Sequence, residues 1–200
     1  MLFTSVKWDV LRELSQADKS PIELSAHNTT SMSNISQALR FLEIAGLVKS
    51  KRIPNRDKGQ PRVVYSLKND FAYVIIAADG FAEKRLIELD QRKKSLLRIW
   101  LYEDETVQPF LEKAFDALFP YLNQILAVFY DNNSSSNKIL VRIIPKKESL
   151  KRIPSDIAGE FYGIKKNIEF NQMKQGEIEK KKSFLYPIYD PQKLYGGGNS

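Results

Sequence analysis

The chain has 200 residues, 31 Lys and Arg against 24 Asp and Glu, 42% hydrophobic residues and no cysteine. This hydrophobic content suffices for packed cores and excludes disorder throughout, and the length allows one large or two small domains. The absence of cysteine excludes disulfides, thiolate metal sites and thiol redox switches. No apolar run approaches the ~20 residues of a membrane span, so we expect neither membrane insertion nor secretion.

A first helix is predicted over residues 5–15 because apolar side chains recur there at helical spacing. They are Val6, Val10, Leu11 and Leu14. A second, short helix is predicted to begin at Pro21, because Ser20 and Glu23 form a capping-box pattern around that position. This helix is expected to end at about His27.

A third helix is predicted over about residues 31–45, after a polar run that offers turn and cap chemistry and before Gly46, which suits a left-handed helix stop. Its buried side is expected to consist of Met32, Ile35, Leu39, Leu42 and Ile44. The opposite side carries short hydrogen-bonding side chains, of which only one is charged: Ser33, Asn34, Ser36, Gln37 and Arg40. A helix face that meets only solvent usually carries Glu and Lys, so this composition indicates a face that reads base edges.

A basic hairpin is predicted to follow. Its strands are expected at residues 47–48 and 63–67, joined by a loop rich in turn residues. Between Lys49 and Arg62 the chain has six basic residues and one acid, and residues 1–68 as a whole have 11 basic and 6 acidic residues. The basic excess of this region therefore lies in the hairpin, and a strand pair that holds phosphates beside a helix that reads bases forms a DNA-binding surface.

In this order of elements the region resembles the winged helix-turn-helix of the ArsR and MarR type, including the archaeal regulators built on it. The residues that carry the resemblance are SMSNISQALRFLEIAGLV, at positions 31–48, which are similar to the family's recognition helix and the Gly-Leu-Val before its wing. The resemblance covers about the first third of the chain. It departs from the metal-sensing members, which carry cysteine ligands in or near the recognition helix.

The resemblance implies a dimeric transcriptional regulator that binds double-stranded DNA. The family's base-reading positions match Ser33, Asn34, Gln37 and Arg40, and its wing contacts match Arg52, Arg56, Lys58 and Arg62. Lys51, a basic residue of the same hairpin, is a further candidate for DNA binding. We predict no cofactor and no metal site.

Residues 69–101 are predicted to form a linker and a dimerisation helix, after a DNA-binding domain over residues 1–68. The apolar run 71–78 is expected to be a short helix that Asp79 and Gly80 interrupt, and a longer helix is expected from Phe81. Alternating steps of four and three, as in a coiled coil, connect Ala82, Leu86, Leu89, Lys93, Leu96 and Trp100. Two recognition helices must reach half-sites about one DNA turn (~34 Å) apart, so dimer contacts are assigned to Leu86, Leu89, Leu96 and Trp100. An ordinary core helix is the alternative.

Residues 102–195 are predicted to form a C-terminal α+β domain for dimerisation or effector binding, so that the fold class of the whole chain is α+β. Residues 105–130 have apolar side chains over more than half of a helical circumference, and Pro120 should kink or split that helix. The segment 155–162 is predicted to be a helix. Strands are predicted at 138–145, 164–170 and 184–189.

No catalytic constellation is found in the sequence. The only histidine, His27, is expected in a capping or solvent-facing role, and neither a P-loop nor a G-x-G-x-x-G pattern is present. We therefore predict a cytoplasmic DNA-binding regulator that is not an enzyme and acts as a homodimer, with a small-molecule or protein effector. The alternatives are an interaction adaptor that uses the winged helix to contact protein, and a non-specific architectural DNA binder.

Overall fold

The computed structural model describes residues 5–27, 30–54, 62–133, 137–147, 150 and 153–196. These residues form a mixed α+β protein, which confirms the predicted class. The chain divides into two compact units, residues 1–89 and 90–200. Among the described residues, no helix combines the length and the apolar character needed to cross a membrane.

The N-terminal unit opens with three helices and an antiparallel strand pair in the predicted order, although the first strand is longer than the predicted 47–48. The elements are α1 (Ser5–Gln16), α2 (Pro21–His27), α3 (Met32–Ile44), β1 (Val48–Ile53) and β2 (Arg62–Leu67). Their apolar sides share one core, which contains Val10, Leu11, Leu14, Leu24, Ile35, Ala38, Leu39, Leu42, Leu47 and Val48. This core holds α3 against α1, α2 and β1.

Two positions predicted on the buried side of α3 are exposed. Met32 is 40% exposed and Ile44 is 79% exposed, whereas Ala38 is buried. Ile44 follows Ile35 by two and a half turns of a helix with 3.6 residues per turn, which places it on the opposite side. Met32 is the first residue of α3, at the end of the buried stripe.

A second antiparallel pair follows β2 in the same unit. Strands β3 (Phe71–Ala78) and β4 (Phe81–Glu88) are joined by a two-residue turn at Asp79 and Gly80, where the φ of Gly80 is 72°. The predicted short helix over 71–78 and the predicted long helix from Phe81 are therefore wrong. Asp-Gly between two apolar runs is a hairpin turn, because the glycine adopts a positive φ at no steric cost.

The four residues assigned to a dimer helix consequently do not share one helix. Leu86 lies in β4 and Leu89 follows its end, at the last position of the N-terminal unit. Leu96 and Trp100 lie in α4 (Gln91–Trp100), where Leu96 packs against the core of the C-terminal unit and the Trp100 indole donates to Glu112. A continuous seam along one helix does not exist here.

The C-terminal unit combines helices with a five-stranded sheet. After α4, its elements are α5 (Gln108–Leu118), β5 (Ile125–Asp131), β6 (Lys138–Pro145), β7 (Asp156–Phe161), β8 (Ile164–Gln172), α6 (Ile178–Lys181) and β9 (Leu185–Tyr189), with 3₁₀ turns at Phe119–Gln124, Gln175–Glu177 and Lys182–Phe184. The strand order is β7-β8-β6-β5-β9, in which β6 and β8 are parallel and the other neighbours antiparallel.

Pro120 splits the predicted helix over 105–130, as expected, but the last part of that segment is a strand. Helix α5 ends at Leu118, a 3₁₀ turn contains Pro120, and β5 follows. Val128 faces the core formed with α5, whereas Phe129 faces a second core on the other side of the sheet. A strand buried on both faces is apolar at every position, and that composition also suits a buried helix.

The three predicted C-terminal strands are confirmed as β6, β8 and β9, but the helix predicted over 155–162 is wrong. That segment is β7. Tyr162 and Gly163, with φ of 52° and 77°, join β7 to β8 in a two-residue turn. Two consecutive positive φ values are those of a type I′ hairpin turn.

The packing of α5 on β7 gives a stability prediction. A Cβ atom at Gly159 would lie 2.9 Å from Cδ1 of Phe110, which is fully buried. Gly159→Ala should therefore lower the free energy of unfolding by about 1–3 kcal/mol through overpacking, as measured by urea denaturation. Gly176→Ala is the matched control, because its Cβ would meet nothing within 4 Å. Equal stability of the two variants would show that Phe110 moves aside without cost.

Candidate nucleic-acid interface

Helix α3 begins at a capped N-terminus. The backbone N–H of Asn34 donates to Ser31 Oγ at 3.3 Å, and Asn34 Nδ2 donates to Thr30 Oγ1 at 3.1 Å. A side-chain oxygen at this position satisfies one of the free N–H groups of the first turn. The cap fixes where α3 starts and thereby which residues point outward.

The exposed side of α3 holds three of the predicted base-reading residues together. Ser33, Gln37 and Arg40 are all exposed, and they lie about half a turn around the helix from the buried Ile35 and Leu39. Asn34 lies at the border of this side. We call Ser33, Asn34, Gln37 and Arg40 the polar face of α3.

A cleft of about 260 Å³ borders the polar face on the side of α1. It is lined by Val6, Lys7, Asn34, Gln37, Ala38 and Phe41. Lys7 Nζ lies 4.2 Å from the centroid of the Phe41 ring, in a cation–π arrangement. Neither Lys7 nor Phe41 was predicted as a site residue, although Phe41 follows Gln37 by one helical turn.

Ile44, which was predicted on the buried side of the helix, also lies beside the polar face. It follows Arg40 by one turn of α3, and its side chain is 79% exposed. An apolar side chain in a major groove contacts the methyl group of thymine. Ile44 therefore extends the exposed side with a group of different chemistry.

Strand β1 carries basic side chains on both of its faces. Lys49, Lys51 and Arg52 are exposed, and Arg52 points to the opposite face from the two lysines because successive strand residues alternate. Ser50 Oγ donates to Glu43 Oε1 at 2.6 Å. That bond joins β1 to the last turn of α3, so the basic strand and the polar face are held together.

Arg62 belongs to a polar cluster at the start of α2. Its guanidinium donates to Ser20 Oγ at 3.1 Å and forms an ion pair with Glu23. The Glu23 carboxylate also accepts from the backbone N–H and the hydroxyl of Ser20, at 2.7 and 2.8 Å. The guanidinium of Arg62 is thus engaged within the protein, where it positions β2 against α2, and its contact with phosphate stays a prediction.

The electrostatics of this cluster favour the ionised carboxylate. Hydrogen bonds from the Ser20 backbone N–H and from Arg62 lower the pKa of Glu23 to about 2. A second connection between β2 and the start of α2 lies nearby, where the backbones of Lys19 and Tyr65 exchange two hydrogen bonds of 3.0 and 2.8 Å. Strand β2 is therefore attached to the start of α2 at two points.

The remaining predicted wing residues, Arg56 and Lys58, lie outside the described residues. No protein-family model and no curated protein matches this chain.

The Glu23 cluster predicts a pH-dependent contribution to stability. A carboxylate whose folded pKa lies near 2, below its ordinary 4.5, stabilises the fold above pH 4.5, and this contribution is lost as the pH falls toward 2. Glu23→Gln should therefore cost about 1 kcal/mol near pH 7, since the pair is partly exposed, and the difference from the unsubstituted protein should shrink below pH 4.5.

The measurement is urea unfolding followed by Trp8 fluorescence in a Trp100→Phe background, because Trp8 lies in the N-terminal unit. Glu179→Gln, an exposed position in the C-terminal unit, is the control. A Glu23→Gln cost that stays constant from pH 7 to pH 2 would contradict the assignment.

Proposed function

We propose that the chain is a sequence-specific, DNA-binding transcriptional regulator whose residues 5–67 form a winged helix-turn-helix. Helix α3 enters the major groove as the recognition helix, and β1 with β2 forms the wing. The observation that carries this proposal is the polar face of α3, which exposes uncharged hydrogen-bonding groups and one arginine on a helix buried along its other side.

The polar face has the chemistry of base readout. A glutamine amide pairs with N6 and N7 of adenine, an arginine guanidinium pairs with O6 and N7 of guanine, and a serine hydroxyl serves either base. Gln37 and Arg40 are three residues apart, so they are neighbours on the helix surface. Together they would read adjacent base pairs.

The basic strand supplies the sequence-independent part of binding. Lys51 and Arg52 in β1, with Arg56 and Lys58 later in the sequence, are proposed to contact phosphates beside the groove that α3 occupies. Each phosphate neutralised by a cation releases condensed counterions, so these contacts give affinity that falls with salt. They position the recognition helix but carry no sequence information.

Regulation is proposed to act through the separation of the two recognition helices in the dimer and not through a catalysed reaction. Two copies bind two half-sites about one DNA turn apart, and an effector that prefers one separation of the recognition helices changes operator affinity. The C-terminal unit is the proposed place for that effector. The protein is proposed to act in the cytoplasm, without catalysis and without a cofactor.

The experiment that tests this function is selection of bound sequences from a random duplex DNA pool at near-physiological salt. The proposal expects a motif with two related half-sites about one helical turn apart. Recovery of DNA without any motif would replace it with architectural DNA binding. No recovery of DNA would replace it with the adaptor function.

A first variant tests base readout. Gln37→Ala should relax sequence preference at one base pair, with a loss of ~1–3 kcal/mol on the preferred base and little change on the others. The measurement is competition binding with DNA duplexes that differ at single positions of the selected motif. Equal losses on all duplexes would remove Gln37 from base readout.

A second variant tests the wing and serves as the matched control for the first. Lys51→Ala should weaken binding by a similar factor on every duplex and reduce the slope of log affinity against log salt by about 1. Fluorescence anisotropy at a series of salt concentrations measures both quantities. An unchanged slope would show that Lys51 contacts no phosphate.

A further inference from the structure

Strand β3 has an edge that no other strand covers among the described residues. In the part of the chain that the structure describes, β3 pairs with β4 alone, and the register of that pair is regular from Phe71 to Ala78. The eight residues of β3, FAYVIIAA, include no charge and no proline. Natural proteins protect a free edge with charge, proline or a bulge, because an unprotected edge is a template for another strand. β3 carries none of these protections.

Large apolar side chains are exposed on both faces of the same hairpin. Ile75 is 71% exposed and Ile76 is 43% exposed, and as consecutive strand residues they point to opposite faces. Phe81 and Leu86 of β4 are 50% and 47% exposed. A two-stranded sheet is marginally stable alone and gains stability when further strands extend it.

We propose that β3 pairs antiparallel with β3 of a second copy of this chain, so that two hairpins form one four-stranded sheet in the order β4-β3-β3-β4. Charge selects the second copy as the occupant. Two identical uncharged strands meet without like-charge repulsion in any register, whereas the β4 edge carries Glu83, Lys84 and Arg85, and charged side chains protect an edge against pairing. We call this β3–β3 pairing the seam. The pairing itself does not depend on the proposed function, but its role as the interface of a DNA-binding dimer does.

Symmetry restricts the register of the seam. The twofold axis is perpendicular to the sheet and lies between the two strands, where one residue of β3 faces the same residue of the partner. The structure favours Ile75 for this position. This choice places Val74 opposite Ile76 of the partner subunit and leaves out Phe71, which packs against the core of the N-terminal unit. Cross-strand pairs of β-branched residues are favourable. A seam of one strand per copy belongs to the class of small interfaces, below ~1,200 Å², so dimerisation should depend on concentration.

The first test uses the absence of cysteine from the chain. Directly opposed residues of an antiparallel pair have Cα atoms close enough for a disulfide. Under mild oxidation, Ile75→Cys should give more than half of the protein as covalent dimer on a non-reducing gel. Val74→Cys tests the neighbouring register, and Arg85→Cys, exposed on β4 of the same hairpin, is the matched control.

A covalent dimer at residue 75 or residue 74 but not at residue 85 supports the seam. The inference is overturned if all three variants form dimer at the same rate, because that indicates random collision. It is equally overturned if none of them forms dimer.

The second test measures mass by sedimentation velocity over a range of protein concentrations. Ile75→Lys places a charge at the seam and should shift the dimer toward monomer by at least tenfold in dissociation constant, whereas Leu86→Lys on β4 should leave it unchanged. A protein that is monomeric at every concentration, or an Ile75→Lys variant with an unchanged dissociation constant, overturns the inference. Circular dichroism checks the fold of both lysine variants, and if Ile75→Lys fails to fold, the cysteine result decides.

Binding to DNA separates this inference from the proposed function. On duplexes with two half-sites, Ile75→Lys should bind about tenfold more weakly, and on a single half-site it should bind like the unsubstituted protein. A β3-linked dimer that binds no DNA refutes the regulator and leaves the seam. A protein that binds both half-sites as tightly with Ile75→Lys as without it refutes the seam and leaves the regulator.

Discussion

Burial of one side of α3 is the constraint on which the N-terminal unit depends. Ile35, Leu39 and Leu42 are almost completely removed from solvent, and they fix the rotation of the helix about its own axis. Once that rotation is fixed, helical geometry alone decides that Gln37 and Arg40 point away from the protein. A polar substitution at Leu39 would therefore disturb the polar face without touching it, since a helix that loses its core contacts is free to turn. The packing of the apolar side chains of α3 is therefore what exposes the hydrogen-bonding groups of its polar face.

The position of the basic strands relative to α3 depends on a different kind of contact. Few apolar residues of β1 are buried, so the strand is held by Ser50 and Glu43 at the end of α3. Strand β2 is held at the start of α2, where Arg62 reaches Glu23. These ties are polar and partly exposed, and each contributes modestly. The strand pair is therefore held more weakly than α3, which would suit its proposed role as a wing that adjusts to a phosphate backbone.

Local signals in the sequence were sufficient for the first three helices, for the hairpin after them and for the polar face of α3, because capping residues and helical period act over a few residues. They failed for the hairpin that follows Asp70 and for the segment 155–162. The spacing from Ala82 to Trp100 fits a helical seam, yet Asp79-Gly80 turns the chain back and makes β4 a strand. Tyr162-Gly163 was missed in the same way. The ion pair of Arg62 with Glu23 could not be predicted, because it joins residues far apart in sequence and depends on how β2 lies against α2.

The hairpin of β3 and β4 changes which of the two units is expected to carry dimerisation. A coiled-coil linker would have placed dimerisation between the DNA-binding region and the rest of the chain. The hairpin instead belongs to the N-terminal unit, and Phe71 at its base packs into the core that also holds α3. If two copies join along β3 as proposed, the path from one α3 to the other runs through elements of the N-terminal units alone. The C-terminal unit is then not needed to form the proposed dimer.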